Sequence, residues 1–332
     1  MRMKRNIKQL LAAFLMGVAM PALAMELGQA VVLADPQPPS QSQTVPSDTT
    51  TTQQLQQPPD VIPVLLENDT LRMMELDVYL LGVVLAEMPV DFETEALKAQ
   101  TVAARTCALQ CTQEGIKHPG GAVCGDSKCC QAYIEPAQYL NDGGLRENVD
   151  KVQRAVTDTA GQILTYQGEL IQATYFSCSG GRTEDAVAVW GADVPYLKSV
   201  DSPGEEHADI YSNTVRFSAV EFAALLGRDL RGSCTGWLGN VTYTRGGGVA
   251  TMIIAGKTYT GTDLREMLSL YSTAFSMRAE GDTITVTTSG KGHRVGMSQY
   301  GADAMAKKGC TYDQILAHYY PGTRIDKVDA LR

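Results

Sequence analysis

Three segments of this 332-residue chain bring together residue types that could do acid–base chemistry on a bound molecule. In Ala86-Glu87-Met88-Pro89 a carboxylate ends the apolar run Val78 to Leu85. Burial of such a group disfavours its ionised form and raises its pKa, which turns a Glu into a general acid near neutral pH. Taken alone, the tetrapeptide fits an ordinary exposed Glu at a helix end better. The second segment, Tyr175-Phe176-Ser177-Cys178-Ser179-Gly180-Gly181-Arg182-Thr183-Glu184, leaves an aromatic, strand-like stretch and enters a Gly-Gly turn, where a ligand can approach the backbone closely. It lacks the spacing of a serine nucleophile elbow. The third runs from Gly290 to Gly301 and offers His293, Ser298 and Gln299 as donors and acceptors in a glycine-laced loop. Without the Lys-Ser/Thr ending of a P-loop it gives no support to phosphate binding.

A fourth cluster has metal-ligand chemistry. His118, Cys124 and Cys130 stand six residues apart in an irregular stretch, and imidazole with thiolates suits Zn²⁺. Cys129 could replace Cys130, and Cys107 and Cys111 could add ligands from one helical face. Disulfide pairing is the competing account, although the vicinal Cys129-Cys130 is an awkward pair. Zinc is favoured because the His fits only the metal reading, and a structural role is favoured over a catalytic one. Cys178, Cys234 and Cys310 fit as small buried residues.

The elements that must position these groups follow from pattern and punctuation. Val61–Leu66 alternates as a strand and Asp77–Ala86 forms a helix stopped by Pro89. Thr94 caps a second helix from Glu95 to about Glu114, with Gly115 as its stop. Lys98 and Arg105, seven apart, share one face of it, either lining a cleft or forming a solvated cationic face. A helix covers Val152–Asp158, and 162–166 with 170–176 form a hairpin around Gln167-Gly168. A short helix begins at 217–221, alternating strands fill 240–288, and a last helix covers Met297–Lys307. Helices and strands are grouped, so the fold class is α+β: helices and antiparallel strands around a substrate cleft.

Hydrophobic residues make up 44% and charged residues 20%, which suits a folded body. A net charge of −9 disfavours nucleic acid as partner, and a mean hydropathy of −0.12 excludes a multispan membrane protein. Arg2, Lys4, Arg5 and Lys8 flank an apolar run from Leu10 to Met25, an export signal or anchor helix over residues 1–27 with a small-x-small site at Ala22-Leu23-Ala24. Residues 28–60, dominated by Pro, Gln, Ser and Thr, form an extended tether. The folded domain then spans 61–332.

Together the motifs resemble the stage II sporulation protein D family of lytic transglycosylases. The matching stretches are Val78 to Pro89, Glu95 to Thr106, Tyr175 to Thr183, Val189-Trp190-Gly191, Pro195-Tyr196-Leu197 and Gly292 to Ala302, in the family's order. The resemblance implies a peptidoglycan enzyme that cleaves between N-acetylmuramic acid and N-acetylglucosamine with Glu87 as catalytic acid and base, leaving 1,6-anhydro ends. An essential second carboxylate, with Glu184 and Asp185 the nearest candidates, would point instead to hydrolysis. It further implies Lys98, Gln100, Arg105, Tyr175, Ser177, Arg182, His293, Ser298 and Gln299 as substrate-binding residues. A zinc site matching His118, Cys124 and Cys130 is also implied, with no metal needed for the chemistry itself. The family context is sporulation: a mother-cell membrane anchor, the intermembrane space during engulfment, and stage II sporulation proteins P and M as partners. A glycan-binding amidase enhancer without catalysis is the alternative. A zinc peptidase is excluded because His-Glu-x-x-His is missing.

Overall fold

The computed structural model describes residues 61–66, 70–112 and 117–330. The expected anchor, the tether and the stop at Gly115 lie outside them. β1 (Val61–Leu65) and β2 (Leu71–Glu75) pair antiparallel and run into α1 (Leu76–Glu87). After Pro89 comes α2 (Thr94–Cys111), and β3 (Val123–Cys124) returns parallel to β1. Next come α3 (Pro136–Asn141), α4 (Arg146–Asp158), β4 (Gln162–Tyr166), β5 (Glu169–Leu170), β6 (Tyr175–Phe176) and α5 (Ala186–Trp190). Then follow β7 (Ser212–Ser218), α6 (Ala219–Leu225), β8 (Leu238–Tyr243), β9 (Val249–Ile254), β10 (Lys257–Thr260), α7 (Gly261–Met267), β11 (Phe275–Glu280) and β12 (Thr283–Ser289). The chain ends with β13 (Met297–Ser298), α8 (Gln299–Lys307), α9 (Tyr312–Tyr319) and β14 (Arg324–Lys327).

The middle of α1, Tyr79 to Leu85, is apolar on every side because it is buried on every side. Tyr79, Leu80 and Val83 enter one core with Ile62, Val64 and Ala104, while Leu81, Val84 and Leu85 enter another with Leu97, Ala103 and Val152. The alanines of α2, Ala96, Ala99, Ala103, Ala104 and Ala108, are buried and let its neighbours approach closely. α4 buries Val149, Val152, Ala155 and Val156, the stripe that its three- and four-residue spacing dictates. Residues 212–289 fold around a core of their own, with Phe222, Trp237, Met252, Ile254, Leu264 and Ile284 between the antiparallel sheets β10-β9-β8 and β11-β12-β7. They form an insertion inside the expected single body.

The α+β class stands, with two parallel pairings (β1 with β3, β6 with β13) among the antiparallel ones. The expected hairpin is shorter than its pattern. Gln167 and Gly168 turn the chain with positive φ, but pairing with β4 ends at Leu170. Tyr175 and Phe176 instead pair with Met297 and Ser298, a partner too remote for local alternation to reveal. That same pairing takes the first two residues of the expected last helix. Thr94 is the first residue of α2 rather than its cap: Glu93 precedes it and gives its N–H to Asp303 at 2.8 Å. The short helix expected at 217–221 begins at Ala219, where Ser218 and Glu221 form a capping box. Among the described residues no helix is long and apolar enough to cross a membrane.

Gly82 shows how tightly α1 is held. An added Cβ would lie 2.3 Å from the Tyr133 ring and 2.5 Å from the Ile134 carbonyl oxygen, while the Ile134 N–H donates to the Gly82 carbonyl. Gly82→Ala gains about 1 kcal/mol of helix propensity but must displace backbone, so a net loss of roughly 1–2 kcal/mol is expected. Chemical denaturation followed by circular dichroism checks it, and a raised midpoint would contradict this packing.

Candidate active site

Proline sets the position of the carboxylate. The residue before Pro89 is driven out of the helical region, and Met88 is extended (φ −115°, ψ 135°), so α1 ends at Glu87. Glu87 is half-buried there. One carboxylate oxygen accepts the Ala132 N–H at 2.7 Å and the other accepts the Gln299 side-chain amide at 3.4 Å. Burial pushes the pKa from 4.5 to about 7, and the two hydrogen bonds keep it from rising further. The carbonyl end of α1 disfavours the anion as well.

The two donors come from distant parts of the chain. Ala132 follows Gln131, a buried side chain that accepts from the Tyr175 hydroxyl at 2.8 Å and donates to the Tyr79 hydroxyl at 3.3 Å. Burial, then the Glu87 charge, pushes the Tyr175 phenol well above its usual value. Gln299 opens α8, whose cap is Ser298: its hydroxyl accepts the Gly301 N–H at 3.2 Å. Ser177 lies beside this helix start, its carbonyl accepting the Tyr300 N–H at 3.0 Å. His293 is half-buried between the rings of Phe176 and Trp190. Its Nδ1 accepts the Val295 N–H, so a neutral ring carries its proton on Nε2. Burial and then Arg265 lower its pKa to about 4, which keeps it uncharged near neutral pH.

Other residues expected at the site are held elsewhere. Arg105 is buried and donates to the carbonyls of Thr159, Gln162 and Val156 and to Asp77, fastening the end of α4. With both terminal nitrogens committed and the side chain only 1% exposed, this guanidinium serves the frame of the protein. Gln100 is fully buried and neither amide atom has a partner among the described residues, so it also faces no open cleft. Lys98 pairs with Glu95 at 3.1 Å and Asp158 at 3.2 Å, bracing α2 against α4. Arg182 is tied to Ser199 and Asp201. Neither cation contacts Glu87. Glu184 is buried, accepting the Thr244 hydroxyl at 2.6 Å and the Gly246 N–H at 3.1 Å, with Arg294 at 3.8 Å. Asp185 accepts the Ser199 N–H at 2.7 Å.

Gln131, the Ala132 N–H and the buried Arg294 were absent from the sequence expectations. Nothing in residue type marks a backbone N–H as functional. Arg294, however, sits inside the Gly292–Ala302 motif, and that position could have flagged it. Its guanidinium donates to the carbonyls of Ser179, Arg182 and Gly246.

The metal-ligand cluster converges, with one addition. Ligand atoms of His118, Cys124, Cys129 and Cys130 all lie within 4.8 Å of one another, and His118 Nε2 is 3.3 Å from Cys129 Sγ. Cys129 therefore joins the three expected residues instead of replacing Cys130. All eight cysteines are thiols. Hydrogen bonding among the thiols, from Cys130 for Cys124 and from Cys111 for Cys130, pushes both up to about 12. Three thiols and an imidazole at this separation fit a tetrahedral, thiophilic divalent cation. The cluster ends two residues before Ala132, so it borders the loop that feeds Glu87.

Comparison with known proteins extends this picture. A family model described as stage II sporulation protein matches residues 67–166, which include Glu87 and the whole His/Cys cluster. The chain is 44% identical over 268 residues to stage II sporulation protein D of Bacillus subtilis (strain 168), covering 79% of this chain and 78% of that protein. This chain belongs to the stage II sporulation protein D family. A second member of the family, from Bacillus amyloliquefaciens, is 42% identical over 282 residues, 83% of this chain and 81% of that one. A Bacillus subtilis (strain 168) protein named amidase enhancer is 30% identical over 297 residues, 74% of this chain but 40% of its own length.

The four-ligand geometry makes a spectroscopic prediction. Co²⁺ added to the protein should bind one ion per chain with a tetrahedral d–d spectrum and a thiolate charge-transfer band. Cys129→Ser should weaken that band while leaving some binding. An octahedral, thiolate-free spectrum would refute the cluster as a metal site.

Proposed function

We propose that this chain is a peptidoglycan lytic transglycosylase that cleaves glycan strands between N-acetylmuramic acid and N-acetylglucosamine during sporulation. The observation that carries the reading is Glu87, a carboxyl with a pKa of about 7 held by two donors at the end of an apolar helix. The neutral acid gives its proton to the glycosidic oxygen as the bond from the sugar C1 breaks, and the bonding pair leaves with that oxygen. The Ala132 N–H and the Gln299 amide then stabilise the carboxylate. That carboxylate takes the proton of the muramyl 6-hydroxyl as its oxygen bonds to C1, which restores the neutral acid and leaves the 1,6-anhydro end. Attack from within the same sugar gains from proximity and needs no second carboxylate to activate water. The commitment of Glu184 and Asp185 to Thr244, Gly246 and Ser199 supports this over hydrolysis.

Tyr175, Ser177, His293 and Gln299 are the substrate-binding residues of this reading, with His293 acting as a neutral donor. His118, Cys124, Cys129 and Cys130 would hold zinc, which bound there supplies a cross-link that stiffens the approach to Ala132. We place the chain on an N-terminal membrane anchor facing the intermembrane space, working with stage II sporulation proteins P and M. A glycan binder that enhances an amidase without cleaving is the second reading, favoured by the 30% identity to the amidase enhancer.

Products from the full chain acting on peptidoglycan and on peptide-stripped strands, analysed by mass spectrometry, decide between them. Anhydro-muramyl ends are expected, falling by roughly 10²–10⁴-fold in Glu87→Gln with glycan binding retained. Reducing ends would mean hydrolysis, and binding without products would favour the enhancer. The proton-donating form of Glu87 exists below its pKa. Accordingly kcat/KM should be level below about pH 7 and fall about tenfold per unit above it, and a profile rising through pH 8 would remove Glu87 as the acid.

A further inference from the structure

Glu205 is fully buried, lies outside every motif noted in the sequence, and collects six hydrogen bonds. One oxygen accepts from Ser179 N–H at 2.8 Å, Ser179 Oγ at 2.8 Å, Gly180 N–H at 3.0 Å and Cys178 Sγ at 3.2 Å. The other accepts from Ser202 Oγ at 2.7 Å and Ser298 Oγ at 2.6 Å. Only an ionised carboxylate is acceptor on both atoms, so no other side chain of this size could satisfy all six. Removing a charge from water is costly, and these bonds, together with the nearby buried guanidinium of Arg294, offset that cost.

What the carboxylate joins is informative. The Ser179–Gly180 turn follows β6, which carries Tyr175. Ser298 is the cap of α8, and its oxygen accepts the Gly301 N–H while its proton goes to Glu205. The next residue is Gln299, whose amide reaches Glu87. There is no slack at this junction. A Cβ on Gly301 would lie 2.6 Å from a Glu205 oxygen and 2.3 Å from Ser202 Oγ.

We propose that Glu205 is a positioning residue for the reaction assigned to Glu87: by tying Ser298 to the Ser179–Gly180 turn it fixes the start of α8, and so keeps the Gln299 amide on the catalytic carboxylate. The proposal rests on the reading of Glu87 as the acid, and its test separates the two. Glu205→Gln puts an amide N–H where an acceptor is required, and Ser298→Ala removes the link to α8 together with the cap on the Gly301 N–H while leaving the other five hydrogen bonds of Glu205 in place. The full-length variants are compared with wild type and Gln299→Ala by circular dichroism, by ¹³C-carboxylate NMR titration of Glu87 (assigned by its loss in Glu87→Gln), and by product formation. The other titratable groups that sense Glu87 are Tyr175 from β6 and Cys107 from α2, and neither is altered.

Losing the Gln299 hydrogen bond removes a contact that favours the carboxylate. The Glu87 midpoint should therefore rise by about half a pH unit, roughly threefold in the ionisation constant, in both variants and in Gln299→Ala. Adding Glu205→Gln to Gln299→Ala should shift it no further, and kcat should fall about tenfold in the single variants with KM little changed. Folded variants with a wild-type midpoint would overturn the proposal, even if their melting temperatures fell. If Glu205→Gln fails to fold, Ser298→Ala decides by the same criterion. Wild type forming no products would defeat the reading of Glu87, while the NMR midpoints would still decide the role of Glu205.

Discussion

A carboxylate at the end of a buried, largely apolar helix faces a conflict between dehydration and charge. α1 cannot turn Glu87 out to solvent, because the helix is wedged between two hydrophobic cores that together bury Tyr79, Leu80, Val83, Val84 and Leu85. Pro89 ends the helix before the chain could carry the acid elsewhere. Burial pulls the group toward its neutral form, and two hydrogen bonds pull it back toward the anion. A pKa near 7 is the balance of the two, so both protonation states are within reach near neutral pH.

The donors that set this balance belong to residues 132 and 299, and several buried polar groups hold the segments that carry them. Gln131 bridges Tyr79 and Tyr175 beneath the first donor, and the His/Cys cluster borders it. Glu205 and Ser298 hold the second. Arg294 and Glu184 extend the scaffold to the inserted unit through Thr244 and Gly246. A buried charge endures only where several directed partners surround it, so each of these side chains fixes the relative position of two or three segments.

The same principle separates functional from structural charges. Lys98, Arg105 and Arg182 have the cationic chemistry of glycan-binding residues. Each is committed to the protein itself: Arg105 to the end of α4, Lys98 to Glu95 and Asp158, Arg182 to Ser199 and Asp201.

Part of this was legible in the residues alone: the α+β class, the helix ended by Pro89 with a carboxyl at its last position, the long second helix, and the gathering of His118, Cys124 and Cys130 as candidate metal ligands. These are local properties, set by periodicity, by proline stereochemistry and by ligand types close in sequence. Tertiary structure alone decided that Tyr175 and Phe176 pair with Met297 and Ser298, and that Cys129 joins the cluster. It also decided that Arg105 and Gln100 are buried, and that Glu205 ties the turn after β6 to α8. Every one of these depends on which distant segment arrives opposite a residue. Hydrogen bonding and burial are properties of that encounter, so the spacing of side chains along one segment carries no record of it.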